Sequence, residues 1–380
     1  MKKLWIIFGA VVVVALAIMF VVTQTKREPK EIKIGAILPL TGDAAFYGQS
    51  IRRGIDLAVE QIRNKGGMQG SSIMVVYEDS KAVPADGVAA FQKLIDVDRV
   101  VAIIGDAVSS VTLAFAPIAE RNKVVVLSPL SSAPALTNAG DFIFRNVPSD
   151  LYGGGVAAHF AVKDEGWKKL GILYINNDFG VGLKQVFSEN AERLGSKIVA
   201  SEAFEQGATD FRTQLLKIKS TTPEAIFIVG YQEVPQILIQ AKEMGLKIKF
   251  LGTGLLEDPN VIKVAKKAAE GIYFTQLQYD ATSKDPLVID FVGAFTKNYN
   301  SKPDIISAYG YDAMKVLAYA METSNLTSDS IRDQLYKVKN FRGVTGDITF
   351  DKNGDVIQPM GIKTVKNGEF VWYKHDVFIE

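Results

Sequence analysis

From residue 32 onward, short runs that are almost wholly apolar or β-branched alternate with stretches whose apolar residues recur three and four apart. The runs occupy 32–38, 73–77, 100–104, 124–127, 170–175, 225–229 and 271–275. A run with no polar face predicts a strand covered on both sides, and its alternation with amphipathic helices predicts parallel sheets wrapped by helices. Between the first two runs Ile51, Ile55, Val59 and Ile62 mark one helix face, and the Asn64-Lys65-Gly66-Gly67 stretch ends that helix. The strand-helix unit recurs over 32–127 and again over 170–275, with 142–150 linking the two blocks. The fold class expected is therefore α/β, with two doubly wound parallel-sheet lobes. The tail differs: helical spacing near 286–298, 305–322 and 328–338 gives way to two segments predicted as antiparallel hairpins. They carry the Asn-Gly pairs Asn353-Gly354 and Asn367-Gly368.

Ahead of this pattern lies a 19-residue apolar run, Leu4 to Val22, preceded by Lys2 and Lys3. As a helix it reaches about 28 Å, enough to span a bilayer. The small-x-small triplet Ala15-Leu16-Ala17 is buried inside the run rather than placed after it. That position favours an uncleaved signal anchor over 1–27, with a cleaved signal peptide as the alternative. Both place the rest of the chain outside the cytoplasmic membrane, at its outer face or in the periplasm.

Composition narrows the function. At 380 residues the chain exceeds the size of a single core. Forty-three Lys and Arg against 42 Asp and Glu leave a net charge of +1, which gives no footprint for nucleic acid. Cysteine is absent, and His159 and His375 lie far apart with no ligand-spaced partner, so neither a metal nor a cofactor is expected. No Gly-x-Ser-x-Gly elbow or phosphate-binding Gly-x4-Gly-Lys loop occurs. Gly153 to Ala158 formally fits a dinucleotide fingerprint but follows no strand; it reads as close packing in a helix capped near Ser149 or Asp150. An enzyme is not expected.

Two strand-to-helix turns remain, Gly105 to Ser110 and Ser128 to Pro134. In an open parallel sheet such turns lie at the carboxyl edge, where ligands bind. A helix start there offers free N–H groups and a positive dipole end, and Ser109, Ser110, Ser131 and Ser132 could add hydroxyls for one carboxylate. Alternatively each serine is a helix cap. Pro117 predicts a kink in a helix that begins at Ser109.

The stretches 32–70, 103–137, 176–183, 207–231 and 269–275, in this order and spacing, resemble the branched-chain amino-acid binding proteins of ABC importers, the type I periplasmic binding proteins. The resemblance implies two lobes joined by three crossing strands: 31–148 with 278–356, and 149–277 with 357–380. It implies a carboxylate-binding serine at Ser109, backbone partners at Leu130 and Ser132, and a side-chain contact at Ala107. Tyr47, Phe179 and Tyr231 fall on the aromatic positions of the pocket. Gly254 stands where amino-acid binders of the family place an acid for the ligand ammonium; Glu257 and Asp258 follow shortly after. Either one of those acids turns in, or the ligand is an aromatic or short-chain acid with no α-amino group. The implied role is a monomeric binding protein that delivers a small carboxylate to an ABC permease. A membrane-linked sensing module is the alternative.

Overall fold

In the computed structural model, residues 31–277 and 279–377 are described. The predicted anchor or signal peptide over 1–27 lies outside them, and among the described residues no helix is long and apolar enough to cross a membrane.

Two sheets carry the chain. The first holds β1 (Glu31–Leu38), β2 (Ser72–Asp79), β3 (Ile103–Gly105), β4 (Val126–Ser128) and β5 (Ile143–Arg145) in the order β2-β1-β3-β4-β5, with every pairing parallel. Next come β6 (Lys169–Ile175), β7 (Lys197–Phe204), β8 (Ala225–Val229), β9 (Lys249–Gly252) and β10 (Tyr273–Leu277). A two-stranded ribbon, β11 (Phe341–Gly343) with β12 (Gly346–Ile348), precedes β13 (Met360–Lys366) and β14 (Glu369–Lys374). The second sheet runs β14-β13-β10-β9-β8-β6-β7, and only its β13 edge pairs antiparallel. The apolar runs are strands because helices cover both faces: all five residues of β8 are buried.

Strand order reverses between β1 and β3 in the first sheet and between β6 and β8 in the second. At such switch points the flanking loops part and leave a crevice beyond the carboxyl ends of the strands.

The helix Ile305–Glu322 closes the outer side of the first sheet against the helix Ala45–Asn64. Gly54 and Gly310 make that approach possible, since a Cβ on either would meet facing backbone at 1.9 Å and 2.3 Å. The chain passes between the sheets after β5, after β10 and before β13. Pro148 and Val356 form a parallel bridge between the first and third passages. A bidentate ion pair fastens the same two passages, Arg145 Nε to Asp355 Oδ1 at 2.6 Å and Arg145 Nη2 to Asp355 Oδ2 at 2.7 Å. Arg145 also donates to the Ala133 carbonyl, tying the clamp to the turn that follows β4.

Three expectations need correction. The 142–150 link contains a strand, β5, which completes the first sheet. β7 joins the second sheet with no residue-by-residue apolar run, because as an edge strand it is only partly covered. The first Asn-Gly pair lies in a turn spanned by the single bridge Phe350 to Val356, while the hairpin sits upstream at β11 and β12. The helix Ser109–Asn122 holds Pro117 in its interior, where the proline removes one backbone donor. The second Asn-Gly pair forms the predicted hairpin: Asn367 and Gly368 have φ of 55° and 75°, as a type I′ turn requires, and Lys366 faces Glu369 across it.

Candidate functional site

A cavity of about 90 Å³ lies between the carboxyl edges of the two sheets. One water needs roughly 10–15 Å³ on this scale, so the space suits a ligand of amino-acid size rather than a peptide or an oligosaccharide.

The first-sheet wall is polar and braced from behind. Ser109 opens its helix directly after β3; its Oγ accepts from the Ala133 N–H at 3.2 Å, which leaves the hydroxyl proton for the cavity. Beneath the turn sits Asp106, fully buried, whose carboxyl accepts from Ser80 Oγ at 2.6 Å and from the Val108 N–H at 2.7 Å. Its own carbonyl accepts from Ser128 Oγ at 2.7 Å and from Ser131 Oγ at 2.9 Å. Residues at the carboxyl ends of β2, β3 and β4 thus converge on Asp106 and fix the 107–109 turn. Burial pushes the Asp106 carboxyl up to about 7, against the pull of those hydrogen bonds.

Ser132 lines the cavity and gives its hydroxyl to Asp150 Oδ2 at 2.9 Å, while the Asp150 N–H returns a bond to the Ser132 carbonyl at 2.8 Å. Asp150 is the one carboxyl among the lining residues. Burial raises it to about 7, opposed by the Ser132 bond and the Arg145 charge.

The second-sheet wall is aromatic. Asn177 caps the helix Asp178–Arg193 by accepting from the Gly180 N–H at 3.0 Å, which presents Phe179 at the end of β6. Phe179 stacks on Tyr231 at 5.4 Å and 14°, and Tyr231 meets Tyr47 of the opposite wall edge-on at 6.0 Å. Leu183, Phe227, Leu277, Ile306 and Met360 add apolar lining.

Tyr47, Ala107, Ser109, Leu130, Ser132, Phe179, Tyr231 and Gly254 all line the cavity. Four of the residues offered by the sequence do not. Ser131 is wholly buried in the Asp106 network, where its Oγ also meets Thr112 Oγ1 at 2.8 Å. Ser110 lies on the helix face that turns from the cavity and is only half-buried. Glu257 points behind the wall to Lys363 Nζ at 2.5 Å and to the Gln276 amide at 2.9 Å. Asp258 caps the helix Pro259–Ala265 through the Asn260 N–H and faces a separate groove with Asp43 and Glu233. Neither acid after Gly254 therefore turns in.

Asp150, Gln276 and Tyr309 are cavity residues that the sequence reading did not single out. Asp150 had a signal: Ser149 serves as the helix cap, accepting from the Leu151 N–H, which frees the neighbouring carboxyl for the cavity. Among the described residues no cluster of His, Asp and Glu has the geometry to hold a metal ion.

A sequence-family model described as periplasmic binding protein matches residues 31–369. A leucine-, isoleucine-, valine-, threonine- and alanine-binding protein of Pseudomonas aeruginosa is 28% identical over 345 residues, covering 90% of this chain and 89% of its own. A leucine binding protein of Thermotoga maritima superposes with a TM-score of 0.85 at 32% identity, over 90% of this chain and 97% of that one. A solute-binding protein of an ABC transporter from Rhodopseudomonas palustris, crystallised with 3,4-dihydroxybenzoic acid, superposes at 0.81 with 25% identity, over 92% and 97%.

Proposed function

The chain belongs to the periplasmic binding protein family, whose relatives here are amino-acid-binding proteins and a solute-binding protein of an ABC transporter rather than enzymes, and from that premise we propose that it captures an apolar α-amino acid. The ligand carboxylate would take the Ser109 hydroxyl and the backbone around Leu130 and Ser132, at the positive end of the helix Ser109–Asn122. The ammonium would face Asp150. The side chain would meet the apolar lining past Ala107, under the Phe179, Tyr231 and Tyr47 rings.

One observation carries this reading: a single carboxyl lines the cavity, and it is hydrogen-bonded to a serine of the carboxylate site. An α-amino acid has its opposite charges separated by two bonds, which is the spacing that Asp150 beside Ser132 accommodates. An ammonium buried without such a partner loses several kcal/mol, about 1–3 for an unmet polar group and more for a charge.

The rival reading is an aromatic or short-chain acid with no amino group. It has in its favour the neutral Gly254 and the related protein crystallised with 3,4-dihydroxybenzoic acid. Under it Asp150 stays protonated beside the ligand.

We take the lobes as 31–148 with 278–356, and 149–277 with 357–380, closing on the ligand about the Arg145–Asp355 clamp. The closed form is what the permease recognises. The monomer works at the outer face of the cytoplasmic membrane, held by 1–27 or released from it. A thermal-shift screen of residues 28–380 tests the ligand class, since binding raises the melting temperature by mass action. Leucine-like amino acids should stabilise the protein at micromolar concentration. Stabilisation by aromatic acids or uncharged amides alone rejects the amino-acid reading.

A further inference from the structure

Behind the cavity wall at Gly254 lies an ion pair that the binding reading does not use. Lys363 sits on β13 opposite Phe274 of β10, with its side chain 9% exposed and its ammonium 4.8 Å above the Trp372 ring. It holds Glu257 Oε1 at 2.5 Å. The other carboxylate oxygen of Glu257 accepts from Gln276 Nε2 at 2.9 Å, and Gln276 itself lines the cavity. Gln276 has no donor left for a ligand: its nitrogen also meets the Gly254 carbonyl at 3.1 Å, and its oxygen accepts from the Leu277 N–H at 2.9 Å, which leaves one lone pair. One amide thus separates a charged pair from the ligand space. The Glu257 charge already reaches that space, because after burial it is the next cause holding the cavity-lining Tyr309 hydroxyl above its ordinary value.

We propose that Lys363 is a specificity-determining positioning residue: by pairing with Glu257 behind Gln276 it weakens the field of that carboxylate at this wall and leaves Asp150 as the only carboxylate lining the cavity. The inference rests on the amino-acid reading for its ligand pair. Physically, a half-buried carboxylate such as Glu257, 22% exposed, that loses its cation must either reach another positive charge or impose its field on its surroundings. The cavity lies one side chain away. Loss of the Lys363 charge therefore favours ligands that carry an ammonium and disfavours those that are only anions. Loss of the Glu257 charge leaves Lys363 uncompensated and does the reverse.

The experiment is calorimetric titration of the full chain in detergent with leucine and with 4-methylpentanoate, which is leucine without its amino group. The quantity read is the ratio of the two dissociation constants. Lys363→Met should move the ratio toward leucine by roughly tenfold, the scale of a unit charge acting over several ångströms in a partly buried site. Glu257→Gln should move it a similar amount toward 4-methylpentanoate, and the double variant should restore the wild-type ratio. Lys363→Arg should leave it unchanged. If Lys363→Met does not fold, the Glu257→Gln shift alone decides, and where one ligand fails to bind, the affinity of the other must move in the stated sense. A wild-type ratio in both single variants overturns the proposal. Asp150→Asn tests the underlying reading separately: an unchanged ratio there rejects Asp150 as the ammonium partner and leaves the Lys363 comparison standing.

Discussion

The two walls of the cleft solve different problems with different materials. The first-sheet wall holds charge: its donors are short side chains and backbone groups, and each is fixed by a bond behind it, from Asp106 under the 107–109 turn to Ala133 against Ser109. The second-sheet wall supplies enclosure, with Phe179 and Tyr231 stacked and Gly254 leaving the loop after β9 without a side chain. Asp150 lies in neither sheet; it begins the helix that follows the first passage between them. Under the proposed reading, the contrast assigns the ligand's charges to one wall and its seam, and the choice of ligand side chain to the other wall.

Substitutions that break this division should differ in size. Asp150→Asn removes the seam charge and should weaken leucine by roughly a hundredfold, about 3 kcal/mol for a charge-assisted bond lost in a buried site, as read by calorimetry. Ser109→Ala removes one donor to the carboxylate and should cost about 1.5–3 kcal/mol, for leucine and 4-methylpentanoate alike. Equal losses place the effect on the carboxylate; a loss for leucine alone moves Ser109 to the ammonium side. On the aromatic wall, Tyr231→Phe should change affinity by less than about threefold, since the hydroxyl makes only a 3.5 Å contact with Asn177 and the stacked ring is kept. Ser131→Ala should act on the melting temperature, losing about 1–3 kcal/mol of stability from the Asp106 network. Ser110→Ala should alter neither quantity.

The pH dependence sharpens the same contrast. Asp150 is raised by burial to about 7, so it is protonated below that pH and ionised above it in the free protein. An ammonium needs the ionised form; leucine affinity should climb as pH rises through 7 and then level. For 4-methylpentanoate the sign is opposite, because the ionised Asp150 repels a bare carboxylate. Asp106 is also raised to about 7, but it bears on the carboxylate of both ligands and cancels in their ratio. For stability the sign check is separate. A carboxyl held above its ordinary value favours the folded state at low pH, so both groups should lower stability as pH climbs from about 4 through 7.

The strands, their parallel pairing and the two-block layout were legible in the apolar runs, because burial on both faces leaves no other use for such residues. Short or edge strands were not: β5 has three residues, and β7 carries the mixed pattern of a half-covered edge. Within the site the turns were legible, but the facing of each serine was not. Ser109 and Ser110 are adjacent, as are Ser131 and Ser132, and only the first of one pair and the second of the other line the cavity. That choice depends on the Asp106 carbonyl, which takes the Ser131 hydroxyl from the other motif, and on Asp150, beyond both motifs, which takes that of Ser132. Glu257 was hidden for the same kind of reason, since its partner Lys363 lies 106 residues away.

Calorimetric titration of leucine and 4-methylpentanoate at pH 8, where Asp150 is ionised, tests the central claim most directly. Leucine should bind at least tenfold more tightly, a difference of about 1.4 kcal/mol or more. Equal affinity, or tighter binding of 4-methylpentanoate, would contradict it and assign the cavity to an acid without an amino group.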